Sequence, residues 1–158
     1  MRVSVLTISD SVAAGKAEDR SGPSLMARCG ELGWEIASFG VCADDRPAIE
    51  AFLRGVADSK SADLILTTGG TGVGPRDVTP EATAAVCERL IPGFSEQMRT
   101  AGREKTPRAI LSRAAAGIRG QAIIINLPGS PHGAVESLDT IADLLPHAVA
   151  VLHGAHHG

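Results

Sequence analysis

Hydrophobic residues along the chain alternate between short continuous runs and segments in which they recur every three or four positions. The continuous runs predict β-strands, and the spaced segments predict helices that bury one face. Strands are expected at residues 3–8, 34–41, 62–68 and 121–127. The last two runs are almost entirely apolar, as is typical of parallel strands covered on both faces.

Helical spacing falls between these runs. The predicted inward-facing residues are Leu25, Met26, Cys29 and Leu32; Ile49, Phe52, Leu53 and Val56; Ala82, Ala85, Val86 and Leu90; and Leu138, Ile141, Ala142 and Leu145. A further helix is expected over residues 95–103, whereas residues 11–22 are polar and predict a loop. Because strands and helices alternate, the sequence predicts a three-layer α/β/α sandwich around a mostly parallel sheet.

Capping residues mark several helix boundaries. Asp44 and Asp45 precede the second helix, where a carboxylate can accept bonds from free amides and meet the positive end of the helix dipole. Thr79-Pro80-Glu81 has the order of a cap, a first helical residue and an acidic first turn, and Ser130-Pro131 repeats the first two. Pro146 is expected to break or kink the last helix.

Length and composition narrow the class of protein. With 158 residues the chain is long enough for one domain, expected over residues 1–154 with a short tail at 155–158. Acidic residues outnumber basic ones by 18 to 15, and the four aromatic residues include no Tyr, which argues against nucleic-acid binding.

The chain begins without the pattern of a signal peptide and has no apolar run long enough to span a membrane. Cys29, Cys42 and Cys87 are widely separated, which favours reduced thiols and a cytoplasmic location.

Three loops are expected at one edge of the sheet. Ligands bind such folds beyond the carboxyl ends of the strands, and the loops there are Ser9-Asp10-Ser11, residues 67–79 and residues 126–133. The middle loop, TTGGTGVGPRDVT, is the most informative. Its glycines let backbone amides approach an anion. The spacing matches neither the dinucleotide fingerprint nor the P-loop.

Side chains in these loops supply candidate ligands for phosphate and metal. Thr68 and Thr71 offer hydroxyl donors, and Arg76 offers a planar fork for phosphate. Asp77, together with Asp44 or its neighbour Asp45, offers the two carboxylates that commonly hold Mg²⁺ beside nucleotide phosphates. Spacing alone does not choose between Asp44 and Asp45.

Two further segments have more than one interpretation. The loop LPGSPHG is either a simple helix start or a second seat for phosphate or nucleotide. Six basic residues between positions 99 and 119 form either a solvated helix face or an anion-attracting rim; they are Arg99, Arg103, Lys105, Arg108, Arg113 and Arg119. His153, His156 and His157 are expected to lie in a frayed C-terminus rather than in a metal site.

The segments SVAAGKAEDRSGP, LTTGGTGVGPRDVTPEAT, ILSRAAAGIRG and IIINLPGSP, in this order, resemble the MogA/MoaB family of molybdenum cofactor biosynthesis. The resemblance is strongest to the domains that adenylylate molybdopterin. It implies transfer of AMP from Mg-ATP to the terminal phosphate of molybdopterin, with release of pyrophosphate. It also implies a homotrimer and delivery of the product to a molybdate-inserting protein.

The resemblance also implies roles for single residues. Asp44 and Asp77 would serve in catalysis and in handling Mg²⁺. The substrate side would be held by Thr68, Gly69, Gly70, Thr71, Gly72 and Arg76, and the nucleotide side by Ser9, Asp10, Pro128, Gly129 and Ser130.

The chain departs from the family pattern at two places. Ala43-Asp44-Asp45 stands where the family usually has Pro-Asp-Glu, and Gly102 stands where many relatives have a Ser close to the pterin. Two alternative functions stay open at this point: a module that binds molybdopterin without adenylylating it, and a role in the later insertion of molybdate. The chain shows no additional domain of the kind that molybdate insertion would call for.

Overall fold

The computed structural model describes residues 1–156. In chain order the elements are β1 (Arg2–Ile8), α1 (Asp10–Ala13), α2 (Ser21–Glu31), β2 (Glu35–Cys42), α3 (Arg46–Asp58), β3 (Leu64–Thr68), α4 (Thr79–Val86), β4 (Arg89–Leu90), α5 (Pro92–Arg103), β5 (Ala116–Arg119), β6 (Ala122–Leu127), α6 (Pro131–Asp139) and α7 (Leu145–Leu152). Short 3-10 helices at Pro107–Leu111 and Ala142–Leu144 connect the later elements.

The six strands form one sheet in the order β2-β1-β3-β6-β5-β4. The four strands β2, β1, β3 and β6 run parallel, whereas β5 and β4 join the far edge antiparallel. The mostly parallel α/β/α sandwich that the sequence predicts is therefore confirmed.

Side chains of the central strands alternate between two separate apolar cores. Leu64 and Leu66 of β3 pack with residues of α2, α5, α6 and α7, whereas Ile65 packs on the opposite face with residues of α3 and α4. All three residues are fully buried. This explains why the run has no polar face: each successive side chain meets a helix layer.

The sequence did not predict β4 and β5. The helix expected to include Ala82 and Leu90 ends at Val86, so Leu90 lies in β4 and is exposed. Ala85 is exposed as well, and Thr83 is buried in its place. The segment that forms β5 has only four residues, Ala116–Arg119, and includes a glycine, so it lacks the long apolar run that marked the central strands.

Two other helical predictions needed correction. The last helix is two helices, because α6 ends at Asp139 and Pro146 lies in the first turn of α7 rather than at a kink. The loop expected over residues 11–22 contains most of α1 and the start of α2. Ser9 caps α1 by accepting a hydrogen bond from the amide of Val12 at 3.3 Å.

Cys29, Cys42 and Cys87 are free thiols. Burial raises the pKa of each to about 11, so all three are neutral at physiological pH. His153 is the C-cap residue that follows α7, and its Nε2 lies 2.8 Å from the carbonyl oxygen of Gln121. His157, the last of the three histidines expected in a frayed C-terminus, lies outside the described residues. Among residues 1–156, no helix combines the length and the apolar character needed to cross a bilayer.

Candidate functional site

The carboxyl ends of β1, β3 and β6 lie side by side and bring the three predicted loops together. Thr68, which ends β3, pairs with Thr7 on one side and with Leu127 on the other. The hydroxyl of Thr68 donates to the carbonyl of Pro128 at 2.6 Å, which joins the glycine loop to the loop after β6. A Cβ on Gly129 would lie 3.3 Å from the Cα of Gly69, so these two backbones pass in close contact.

The glycine loop, residues 69–78, needs its first two glycines for conformational reasons. Gly69 and Gly70 have φ values of +106° and +70°, a region that other residues rarely adopt. A Cβ on Gly69 would also collide with the carbonyl oxygen of Ile8. Thr79 holds the turn from the other side, because its hydroxyl donates to Gly69 O at 2.9 Å and its amide donates to Gly70 O at 3.2 Å.

Thr79 therefore has a different role from the one its sequence position predicted. It is the first residue of α4 and its side chain makes no capping bond there. The hydroxyl is buried and is directed back to the glycine loop. The cap-like sequence thus fastens the loop to the helix that follows it.

Asp44 and Asp45 are separated in space although they are adjacent in sequence. Asp45 caps α3, with its carboxylate accepting from the amide of Ala48 at 3.1 Å. Asp44 turns instead to the first loop: Asp10 N donates to Asp44 Oδ2 and Asp44 N donates to Asp10 Oδ1, both at 3.0 Å. The local turn forms without proline, because Asp45 N donates to Ala43 O at 2.8 Å.

Asp44 lies among other carboxylates. Its pKa is raised, chiefly by burial and also by the negative charges of Asp10 and Asp77, although the amide of Asp10 and the charge of Arg76 oppose the rise. Asp77 Oδ2 accepts from the amide of Gly74 at 2.9 Å. The two carboxylates predicted to act together, Asp44 and Asp77, thus face one region against the glycine loop.

Arg76 is paired within the protein. Its guanidinium donates Nε to Asp10 Oδ2 and Nη2 to Asp10 Oδ1, both at 3.0 Å. This fork lowers the pKa of Asp10, while the side chain of Arg76 stays largely exposed. The bonds to Asp10 use Nε and Nη2, so Nη1 of this largely exposed side chain is left for the phosphate contact expected of Arg76.

Arg113 is a site residue that the sequence identified only as one member of a basic segment. Its Nε donates to Gly72 O at 2.7 Å, and one Nη donates to Asp77 O at 2.8 Å. The guanidinium also forms an ion pair with Glu81 at 2.6 Å. Arg113 thereby links both ends of the glycine loop to α4. Arg113 also lies in the segment ILSRAAAGIRG that resembles the family, but neither signal indicates its partners.

The other basic residues of this segment do not form one continuous face. Arg99 donates to the carbonyls of Ser112 and Ala114, and Arg119 forms an ion pair with Asp58 at 2.9 Å. Lys105 and Arg108 line a cavity beside the glycine loop, as does Arg99. The segment is therefore neither a solvated helix face nor a continuous anion-attracting rim. Arg99 and Arg119 bond within the protein, and Lys105 and Arg108 lie at the cavity.

That cavity has a volume of about 370 Å³ and lies between α5 and the loop after β6. Thr71, Pro128 and Ser130 belong to its wall, whereas Asp10, Asp44, Arg76 and Asp77 do not. Thr71 is part of the glycine loop, so the loop has the cavity on one side and the acidic residues on the other. Gly102, where many relatives have Ser, is also part of the cavity wall.

The residues present fit a magnesium ion that is bound together with phosphates. Within residues 1–156, Asp44 Oδ1 and Asp77 Oδ1 have no hydrogen-bond partner, while the second oxygen of each carboxylate accepts from an amide. The same range contains no cluster of three or more His, Cys, Asp or Glu side chains that would bind a metal alone. Mg²⁺ in nucleotide sites needs only one or two carboxylates, because phosphates and water complete its shell.

Comparison with known proteins agrees with this geometry. Residues 4–147 match the family model described as a probable molybdopterin binding domain. The chain is 40% identical to the molybdopterin adenylyltransferase of Helicobacter pylori over 156 residues, which cover 98% of this chain and 89% of the relative. It is also 40% identical to the Escherichia coli molybdopterin adenylyltransferase over 157 residues, covering 98% and 79%.

A solved structure supports the same assignment. The molybdopterin biosynthesis enzyme MoaB from Thermus thermophilus superposes with a TM-score of 0.92 at 45% identity, covering 98% of this chain and 97% of that one. The family model and these relatives extend over both the glycine loop and the loop after β6. The chain belongs to the MogA/MoaB family of molybdenum cofactor biosynthesis.

Proposed function

We propose that this protein is a molybdopterin adenylyltransferase that transfers AMP from Mg-ATP to the terminal phosphate of molybdopterin and releases pyrophosphate. The observation that carries the proposal is the position of the glycine loop between two unlike environments. Thr71 of this loop lines the cavity, and Gly70 packs against the carboxylate of Asp44. A substrate ring in the cavity would therefore place its phosphate beside the acidic residues.

Each part of the site has a defined task in this proposal. The cavity accepts the pterin, and the backbone amides of residues 69–72 receive its phosphate. We propose that the loop after β6, with Pro128, Gly129 and Ser130, contacts the nucleotide together with Ser9 and Asp10, while Pro128 and Ser130 also line the cavity. The hydroxyl of Thr68 already donates to Pro128 O, so its contribution is to hold the two loops together.

The reaction forms a bond between a phosphate oxygen of molybdopterin and the α-phosphorus of ATP, and it breaks the bond to pyrophosphate. Little covalent chemistry falls to the protein, so its residues act by positioning the reactants and by controlling charge. Asp44 and Asp77 would hold the metal through the carboxylate oxygens that have no partner among the described residues. Bound Mg²⁺ would supply neutralisation of the negative charge that develops on the phosphates.

The cluster of three carboxylates explains why the metal and the triphosphate must arrive together. Without a cation, Asp10, Asp44 and Asp77 would repel a nucleotide, and Arg76 and Arg113 offset part of that charge. Burial is the main cause of the raised pKa of Asp44, and the charges of Asp10 and Asp77 add to it. Asp44 and Asp77 would lose this repulsion on holding a cation, and the site would then accept the polyanion.

The quaternary and cellular aspects are proposals as well. We propose a homotrimer, a cytoplasmic location consistent with three free thiols, and transfer of the product to a molybdate-inserting protein. Residues 1–154 are proposed to form one domain followed by a tail. A binding module without adenylylation is the second candidate, and it is not favoured, since the curated relatives at 40% identity are named adenylyltransferases.

Pyrophosphate release tests the proposal. Purified protein is incubated with Mg-ATP in the presence and absence of molybdopterin, and each reaction is repeated with excess chelator. We expect pyrophosphate only when molybdopterin and Mg²⁺ are both present. Binding of molybdopterin without pyrophosphate release would contradict the proposal and favour the binding module.

A further inference from the structure

The wall of the 370 Å³ cavity contains three basic side chains, whose charges are compensated in different ways. Lys105 forms an ion pair with Glu136 at 3.1 Å. Arg108 is exposed, so water solvates its charge. Arg99 is partly buried, and no carboxylate in the described part of the chain lies within ion-pair distance of it. Removing a charge from water without a counter-ion costs free energy, so Arg99 needs an explanation that the fold does not supply.

The guanidinium of Arg99 is held in place by the backbone of the wall. Its Nη1 donates to the carbonyls of Ser112 at 3.2 Å and Ala114 at 3.4 Å, and both of these residues line the cavity. Its Nε and Nη2 have no hydrogen-bond partner within residues 1–156, and neither atom is fully buried. Arg99 therefore offers fixed, accessible donors that the protein itself leaves unused.

A single peptide group connects Arg99 to the glycine loop. The oxygen of the peptide between Ser112 and Arg113 accepts from Arg99, and its N–H donates to Thr71 O at 2.8 Å. The guanidinium thus lies one peptide group away from the loop. A substrate whose phosphate sits on the amides of residues 69–72 would bring the groups next to that phosphate close to Arg99.

The other unpartnered polar groups of the wall do not supply a fixed positive charge. The hydroxyl of Ser95 is fully buried, so an occupant of the cavity cannot reach it. Thr71 and Ser137 have hydroxyls without a partner among the described residues, but these groups are neutral. Glu104 is exposed and carries a negative charge. Among these groups, an anionic part of a ligand therefore finds its best partner in Arg99.

Molybdopterin has two anionic parts: the terminal phosphate, and a dithiolene whose two sulfur atoms ionise to thiolates. The two lie close together in the molecule. The phosphate is assigned to the glycine loop, and the carboxylates of Asp10 and Asp44 beyond the loop would repel a second anion. The cavity side, where Arg99 has no counter-ion, is the side that favours the dithiolene.

We propose that Arg99 donates hydrogen bonds through Nε and Nη2 to the dithiolene thiolates of molybdopterin and is a specificity-determining contact of the cavity. This inference rests on the proposed function, which supplies molybdopterin as the substrate. A charge-assisted contact of this kind favours a substrate with ionised sulfurs over a pterin phosphate without them, because the latter leaves the guanidinium without a counter-ion.

The test measures how strongly each protein prefers free thiolates. The Kd is determined without ATP, under anaerobic and reducing conditions, for molybdopterin and for its derivative in which both sulfurs are carboxamidomethylated, so that ring and phosphate remain but the thiolate charges do not. The native protein should bind molybdopterin more tightly. In Arg99→Gln, which keeps a donor for the backbone carbonyls, the Kd for molybdopterin should rise about tenfold or more, as for loss of a charge-assisted hydrogen bond. The Kd for the derivative should stay near its native value.

Three further variants serve as comparisons. Arg99→Lys keeps the positive charge and should keep most of the preference for free thiolates. Arg103→Gln removes a charge from the exposed last turn of the same helix, outside the cavity wall, and should match the native protein. Arg108→Gln should also keep the preference, and its loss there instead of in Arg99→Gln would overturn the assignment to Arg99.

The outcomes separate this inference from the proposed function. A preference that disappears in Arg99→Gln supports the contact even if no pyrophosphate is ever released. A preference that survives in Arg99→Gln overturns the contact even if the native protein is an active adenylyltransferase. Equal weakening of both ligands with a lower Tm shows a structural arginine and overturns it too, as does a complete loss of the preference in Arg99→Lys or a native protein that fails to bind molybdopterin.

Discussion

The Asp44 carboxylate packs against the backbone of Gly70: Oδ1 lies 3.0 Å from the point where a Cβ on Gly70 would stand. That Cβ would also collide with the hydroxyl of Thr79, which holds the glycine loop in place. The absence of a side chain at position 70 therefore determines how closely the loop amides approach the acidic residues.

Gly70→Ala should reduce both stability and activity. Alanine at a φ of +70° costs about 1 kcal/mol of folding free energy, and the added methyl group also displaces Asp44 and Thr79. We expect turnover to fall by about 10²-fold, as for misplaced catalytic groups. Thermal unfolding and pyrophosphate release measure the two effects.

Gly15→Ala is the matched control for that variant. Gly15 has a similar φ of +73°, but a Cβ there would meet no atom within 4 Å. Its stability loss should therefore reflect backbone strain alone, with turnover close to native. If both variants lost activity equally, the close packing at Gly70 would have no special role.

Asp44→Asn should stabilise the protein while it inactivates the enzyme. The pKa of Asp44 is raised in the folded state, so its ionisation opposes folding, and stability falls as pH rises from the unfolded value of 3.8 through the folded value. Removing the charge should raise the Tm at neutral pH, and this gain should vanish below pH 3.8. Turnover should drop by about 10²–10³-fold.

Asp45→Asn gives the comparison for Asp44. Asn caps helices as well as Asp does, so neither the Tm nor the turnover should change much. Unfolding curves across pH and pyrophosphate assays on both variants provide the measurement. Greater loss of turnover in Asp45→Asn than in Asp44→Asn would reverse the assignment of the catalytic carboxylate.

Arg113→Ala should loosen the glycine loop. The change removes the ion pair to Glu81 and the bonds to the carbonyls of Gly72 and Asp77. We expect a stability loss of about 1 kcal/mol and a fall in kcat of about tenfold, as expected for displaced groups. Arg113→Lys should recover little, since an ammonium group lacks the planar fork.

Arg103→Ala is the charge-matched control for Arg113. Arg103 is exposed in the last turn of α5 and does not line the cavity. Its loss should leave both kcat and the Tm near native values. A similar effect of the two substitutions on kcat would mean that net charge, and not the contacts to the loop, explains the loss.

The central strands and the cluster of loops could be predicted from the sequence because both depend on local patterns. The run from Leu64 to Thr68 is buried on both faces, and burial of that kind leaves a continuous apolar signal. The glycines after Thr68 mark a turn that only glycine adopts readily. Parallel strands then bring the following loops to one edge, so the grouping follows from topology.

Other features depend on contacts between distant residues, which local patterns do not encode. Asp44 and Asp45 have almost the same sequence environment, and only the fold directs one to Asp10 and the other to a helix end. The pairing of Arg76 with Asp10, 66 positions away, could not be read from the sequence, and the phosphate contact of Arg76 stays a prediction. The partners of Arg113 lie 32 to 41 positions away and were equally out of reach.

The short edge strands were missed for a different reason. Each of β4 and β5 has few residues, and both residues of β4 are exposed, so neither strand carries the apolar periodicity that marks a buried strand. Their place is fixed by pairing, because β5 pairs with β6 and β4 pairs with β5 at the sheet edge. That pairing is a tertiary contact, and it overrides the helical spacing that had included Leu90.

Transfer of label from ATP carrying ³²P at the α-phosphate tests the central claim most directly. The native protein and Asp77→Asn are each incubated with labelled Mg-ATP and molybdopterin, and labelled adenylyl-molybdopterin is measured alongside the Kd for molybdopterin. We predict that the native protein labels the pterin, and that Asp77→Asn loses at least about 10²-fold of this rate while its Kd stays near native. Absence of labelled pterin with the native protein, or equal labelling by the variant, would contradict the account.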